Sequence, residues 1–322
     1  MLVTPFRPAG QVDLDDLGRL LDFVIASRPH GVSILGLGGE VGSLTVDERR
    51  AIADLVLRGS GALPVIVGCS AQDTRTAVEL ARHAAERGAA AVMVASPSEA
   101  DWGRDRLGEH FVSVARACAP TPVMVQDAPA FIGVALDADL VRDLAAAEPN
   151  IAYAKPESLP ACESASRLAE AGLAVFGGHG GLYALDVLEA GAVGLIPGCE
   201  AGDALARLFD HWDAGRLEEA RAAHDTLAPL LTFEFQGLDH FIRCAKTILQ
   251  AQGVLRRAGS RANPGPLDPV SMRLVLDRAT RAGILAPGAA APGVAAPGAA
   301  EPGAAAPGAA PGVTPAATCG RA

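Results

Sequence analysis

Lysine is nearly missing from this chain of 322 residues: of its 27 basic residues two are lysines, Lys155 and Lys246, and the remainder are arginines. Guanidinium keeps its proton below a pH of about 12 and cannot act as an amine nucleophile, so any amine chemistry falls to those two positions. Positive charge is scarce as well. Acidic residues outnumber basic ones 37 to 27 and the net charge is −10, which speaks against nucleic acid as a partner. No apolar run reaches the roughly 18 residues of a membrane span, and MLVTPF at the start has no charged segment leading into an apolar stretch, so neither membrane insertion nor export is expected. The six cysteines, at 69, 118, 162, 199, 244 and 319, show neither CxxC nor Cys/His spacing. That excludes a recognisable zinc or disulfide framework and fits a reducing cytoplasm.

What is present is a globular composition, half hydrophobic and one fifth charged. From about Ala286 the sequence becomes APGAAAPGVAAPGAAEPGAAAPGAAPG, whose recurrent Pro and Gly oppose helix and supply no core. Residues 286–322 are expected to form a disordered tail. Upstream, eight short apolar segments (LVTPF, GVSILGL, LPVIVGC, AAVMVAS, TPVMVQD, NIAYAK, LAVFGG and AVGLIPG) alternate with amphipathic stretches. Near-continuous apolar strands belong to a parallel sheet covered on both faces, and eight such repeats predict an α/β (β/α)8 TIM barrel over residues 1–214. Thr45 followed by Glu48 marks a capping box, and Gly88 and Gly172 mark helix ends. Helical patterns near 203–213, 216–231, 238–252 and 269–282 close the barrel and add a C-terminal helical appendage over 215–285.

In such a barrel, chemistry gathers where the strands end. Lys155 ends the sixth apolar segment, where apolar surroundings would disfavour an ammonium and make its amine available to attack a carbonyl. The competing reading is a structural ion pair with Glu157 or Asp127. Lys246 sits in the amphipathic run HFIRCAKTILQ, where it is expected to reach solvent or a carboxylate. Glu40, after the second segment, could transfer protons or merely fix its own loop. His179 in GGHGG has a suitable imidazole between glycines, or is a plain loop histidine. Asp127 is expected to cap the following helix, and Cys199 and Glu200 to pack at the rim.

LVTPF, GLGGE at 36–40, LTVDER, PVIVG at 64–68 and NIAYAK fall in the order seen in the family of dihydrodipicolinate synthase and N-acetylneuraminate lyase, which the chain resembles everywhere except the tail. The resemblance implies a Schiff base on Lys155, a small 2-oxo acid as substrate, no cofactor or metal, and a homo-oligomer, dimer or tetramer. It also exposes departures. Gln126 replaces the relay tyrosine of the fifth segment, Ser98 replaces the tyrosine of a TPYY motif, and Phe131 aligns with the arginine that holds a second carboxylate. PVMVQDAP and LLTFEFQGLDHFIRCAKTILQAQGVLR are similar to the L-2-keto-3-deoxyarabonate dehydratase branch, which also carries glutamine there but has Tyr-His where this chain has Ser98-Glu99.

Retro-aldol cleavage needs a base at the C4 oxygen, and Gln126 cannot exchange a proton at neutral pH, so dehydration of a 2-keto-3-deoxy sugar acid is the expected reaction. Aldol chemistry involving pyruvate and non-catalytic binding of a 2-oxo acid are the alternatives. The expected catalytic set is Lys155, Gln126 and Glu40. The backbone of Leu37 and Gly38 would hold the substrate carboxylate, and Ser98, His179 and Gly198 complete the substrate-binding set.

Overall fold

The computed structural model describes residues 1–98, 102–132, 134–262 and 265–288. Glu99 and the stretch from 289 onward, which carries nearly all of the expected tail, lie outside them. Seven strands follow one another in a single parallel sheet: β1 (Val32–Ile34), β2 (Val65–Gly68), β3 (Ala91–Ala95), β4 (Val123–Asp127), β5 (Ile151–Pro156), β6 (Ala174–Gly177) and β7 (Gly194–Leu195). Each short strand is apolar because it is packed on both faces, as a parallel sheet demands.

The expected first strand differs. LVTPF makes only an isolated bridge from Phe6 to Val12, although Leu2 N–H donates to Ser33 O at 2.8 Å and the Met1 amino group donates to Pro197 O at 2.8 Å. The segment therefore spans β1 and β7 and closes the barrel. Proline at position 5 has no N–H to continue a ladder.

The layer outside the barrel is helical: α1 (Leu14–Ala26), α2 (Val46–Gly59), α3 (Thr74–Glu86), α4 (Arg104–Cys118), α5 (Pro129–Ile132), α6 (Ala138–Ala147), α7 (Ala161–Glu170), α8 (Ala184–Glu189) and α9 (Gly202–Asp213). Asp13, Thr45, Asp73 and Asp137 cap their helices by accepting first-turn N–H groups, and Thr45 and Glu48 form the complete capping box. Gly88 and Gly172 adopt φ of +87° just beyond α3 and α7, which terminates both helices. Three further helices, α10 (Leu217–Glu234), α11 (Leu238–Ala251) and α12 (Pro269–Arg281), complete the chain. Leu227, Leu231, Ala245 and Leu249 from α10 and α11 join the barrel's own core, while Leu230, Cys244, Ile248 and Val275 weld the three helices together. None of the described helices is long and apolar enough to cross a membrane.

Pairing between β4 and β5 decides where the side chains at the ends of these strands point. Val123 pairs with Ile151, but Met124 pairs with Tyr153, so β5 carries one extra residue at Ala152. A one-residue shift turns every following side chain to the opposite face. Val123 and Ile151 therefore pack in the core shared with the helices, Met124 and Tyr153 lie in the barrel bore, and Gln126 comes to lie directly opposite Lys155.

Lys246 ties the C-terminal helices to the turns that follow β1. Its side chain is wholly buried on α11 and donates to Glu40 Oε1 and to Gly259 O, the latter at 2.9 Å. The other oxygen of Glu40 accepts from Ser260 Oγ at 2.6 Å and Arg261 N at 3.0 Å. Arg261 then reaches Ser43 O at 2.7 Å and Glu48 Oε1 at 2.7 Å. Of the two destinations expected for Lys246, it takes the carboxylate. Removing one partner of a buried, fully hydrogen-bonded pair leaves an uncompensated charge, which costs about 3–5 kcal/mol. Lys246→Met is thus expected to lower unfolding free energy in urea by that amount, and a loss under about 1 kcal/mol would contradict the arrangement.

Candidate active site

Lys155 and Glu157 stand two residues apart at the end of β5, and residues i and i+2 of an extended chain project to the same side. Both are buried, at 4 % and 5 % exposure, with Lys155 Nζ 2.9 Å from Glu157 Oε2. Gln126 Nε2, carried to the same face by the irregularity in β5, donates to that oxygen at 2.7 Å. The backbone N–H of His179 donates to Glu157 Oε1 at 2.9 Å. Space for this carboxylate exists because residue 178 is glycine: a Cβ there would sit 2.5 Å from Glu157 Oε1 and Cγ. Burial by itself would raise the Glu157 pKa, but the Lys155 ammonium, the His179 N–H and the Gln126 amide together hold it below the ordinary carboxylate value. The result is an anionic carboxylate fixed against an amine, a proton acceptor in contact with a nucleophile.

The cleft above this pair is lined by Leu37, Gly38, Gly180, Gly198 and an apolar wall of Phe131, Phe235 and Phe241. Lys155 and Glu157 carry its only charged side chains among the described residues. Leu37 and Gly38 form a 3-10 turn after β1, packed so closely on α11 that a Cβ on Gly38 would lie 3.1 Å from Phe241. Ring centroids of Phe131 and Phe235 are 5.8 Å apart and those of Phe235 and Phe241 5.3 Å apart, a continuous aromatic face.

Of the residues singled out in the sequence, Lys155, Gln126, Leu37, Gly38, His179 and Gly198 meet at this end of the barrel. His179 contributes its backbone N–H to Glu157, while its ring packs among Phe131, Tyr183 and Phe235 at centroid distances of 6.5, 5.1 and 5.6 Å. Burial lowers its pKa, favouring neutral imidazole. Glu40 does not line the cleft; its carboxylate is held by Lys246, Ser260 and Arg261. Ser98 lies exposed at the rim, exchanging hydrogen bonds of 2.9 Å with the side chain of Gln72. Asp127 accepts from Leu136 N and Ser158 Oγ, so it pins the loop after β4, and helix α6 is capped by Asp137 instead. Glu157 entered the sequence reading solely as a structural partner for Lys155; its i+2 spacing beyond a strand-end lysine is the signal that places it in the cleft.

Behind Gly198 lie two buried carboxylates, Glu200 and Glu234, with no hydrogen-bond partner among the described residues. Burial raises Glu200 to about 7 and raises Glu234 well above the ordinary carboxylate value, the latter with a contribution from Glu200. Carboxyls that are harder to ionise folded than unfolded stabilise the protein fully below the unfolded carboxylate range, and lose that contribution as pH rises through the folded value. Thermal stability is therefore expected to fall between pH 5 and 8. Glu234→Gln should flatten that decline when melting is followed across the range, whereas an identical slope in both proteins would contradict it.

The profile of the dihydrodipicolinate synthetase family matches residues 1–275. A curated relative, L-2-keto-3-deoxyarabonate dehydratase of Azospirillum brasilense, is 31% identical over 291 residues, covering 88% of this chain and 90% of that protein. A 4-hydroxy-tetrahydrodipicolinate synthase of Thermus thermophilus is 32% identical over 289 residues, covering 88% and 95%. Among solved structures, dihydrodipicolinate synthase from Rhodopseudomonas palustris superposes with a TM-score of 0.80 at 26% identity, covering 87% of this chain and 95% of that one.

Proposed function

The chain belongs to the dihydrodipicolinate synthetase family of class I lyases, and from that premise we propose that it dehydrates a 2-keto-3-deoxy sugar acid through a Schiff base on Lys155. The observation that carries the proposal is the Glu157 carboxylate 2.9 Å from Lys155 Nζ. In this scheme Glu157 takes a proton from the Lys155 ammonium, and the free amine adds to the C2 carbonyl of the substrate. The carbinolamine hydroxyl leaves as water with a returned proton, giving an iminium. Glu157 next removes a C3 proton, whose electron pair forms the enamine. That enamine expels the C4 hydroxyl, which departs as water with the proton held by Glu157, and hydrolysis of the unsaturated iminium releases the 2-oxo acid and restores Lys155. One carboxylate thus serves as base and then as acid, and the net change is loss of one water.

Two features support dehydration over a dicarboxylate-forming condensation. The apolar wall of the cleft is Phe131, Phe235 and Phe241, and among the described lining residues no cationic side chain besides Lys155 is present to receive a second carboxylate. Gln126, bonded to Glu157, orients the base and cannot itself relay a proton. The substrate's own carboxylate is assigned to the turn at Leu37 and Gly38, where successive backbone N–H groups can form an anion-binding nest.

Borohydride added in the presence of pyruvate or a 2-keto-3-deoxy acid should fix the adduct on the peptide that contains Lys155, read by mass. No adduct with any 2-oxo acid would end the Schiff-base reading. With 2-keto-3-deoxy acids the expected product is a dehydrated 2-oxo acid, and release of pyruvate plus an aldehyde would replace dehydration by aldol cleavage. Glu157→Gln should lower kcat for dehydration by about 10²- to 10⁴-fold. Its depressed pKa keeps the wild-type base ionised, so kcat/KM should hold level down to the ordinary carboxylate range and decline only below it.

A further inference from the structure

The proposed reaction engages the substrate as far as C4: its carboxylate at the turn of Leu37 and Gly38, C2 at Lys155, and C3 and C4 at Glu157. What the cleft offers to the carbon beyond C4 is hydrocarbon, supplied by Phe131, Phe235, Leu238, Phe241, Ile196 and Pro197. Among the described lining residues, no side chain besides Lys155 and Glu157 can donate or accept a strong hydrogen bond. Polar groups close by are engaged elsewhere. Gln126 donates to Glu157, the Met1 amino group donates to Pro197 O, and Ser98 exchanges its hydrogen bonds with Gln72 at the rim.

This wall is seated directly on backbone. A Cβ on Gly180, whose φ is +64°, would lie 2.9 Å from the Phe235 ring and 3.3 Å from that of Phe241, and one on Gly38 would lie 3.1 Å from Phe241. Two glycines thus let the rings settle where no side chain could intervene. Free space in the cleft amounts to about 30 Å³, room for roughly two or three water-sized groups. A long or aryl-bearing acid exceeds that space, and a short one does not.

We propose that the aromatic wall of Phe131, Phe235 and Phe241 selects a 4-hydroxy-2-oxo acid whose carbon beyond C4 is a short alkyl group, a 2-keto-3-deoxy acid that is deoxygenated at its far end as well. The inference rests on the Schiff-base dehydration proposed above and narrows its substrate. A hydroxyl on that carbon would surrender its water and meet only carbon, whereas a methyl group gains from leaving water. Apolar pockets turn away an added hydroxyl by up to about 10²-fold, which bounds the selectivity expected here.

The test compares two acids of one skeleton, 4-hydroxy-2-oxopentanoate and 4,5-dihydroxy-2-oxopentanoate, each of which loses one water in the proposed reaction. The kcat/KM for water loss should favour the first by about 10- to 100-fold. A ratio below about tenfold, or a preference for the diol, overturns the inference while the Schiff-base reading stands, provided that borohydride still traps an adduct on Lys155. No adduct from either acid overturns that reading and the inference with it. Phe131 is half-buried at the edge of the wall, so Phe131→Gln brings an amide into the lining and should lower the ratio about tenfold, whereas Phe131→Leu keeps hydrocarbon there and should retain it. Trapping with pyruvate, which ends at C3 and does not reach the wall, verifies that each variant is folded. An equal ratio in the glutamine and leucine variants overturns the assignment of selectivity to the wall.

Discussion

The candidate site of this molecule is arranged around one short contact, the 2.9 Å between Lys155 Nζ and Glu157 Oε2. An amine and a carboxylate this deeply buried cost several kcal/mol each to desolvate, and the cost is offset only where every remaining lone pair finds a donor. Gln126 and His179 supply those donors, and Gly178 leaves the room. Three features of the chain that look unrelated in sequence, a glutamine, a histidine backbone and a glycine, thus answer to a single carboxylate. The extra residue in β5 belongs to the same constraint, because without it Lys155 would face the helix layer.

The fold was legible because its signals are periodic. Seven of the eight apolar segments are strands, and the four C-terminal helices fall within a few residues of their sequence bounds. Capping residues and helix-ending glycines report local conformation directly, with no need of tertiary context. LVTPF departed because closing a barrel is a long-range event, and its pairing depends on β1 and β7, which no local pattern reveals.

The site was legible to the extent that chemistry singles out a residue type. Lys155 stood out because lysine is so scarce here. Glu157 did not, since a carboxylate near a lysine reads equally as a structural pair until burial and cleft are known. Glu40 illustrates the reverse: it ends its segment at the barrel mouth, yet left-handed backbone and a partner more than 200 positions away turn its carboxylate aside. His179 carries a ring of suitable chemistry, but the atom that meets Glu157 is its amide nitrogen, and side-chain identity says nothing of that.

The pair formed by Lys246 and Glu40 has a mechanical consequence. Glu40 follows directly on the turn of Leu37 and Gly38, and α11 carries both Lys246 and Phe241, so the floor and one wall of the cleft are bolted to a common frame. Neither can yield to a larger guest without breaking a buried charge pair. Phe131, on the four-residue helix α5, extends the same aromatic wall by packing its ring on Phe235, so that edge of the cleft is held by ring contact where the other edge is held by charge.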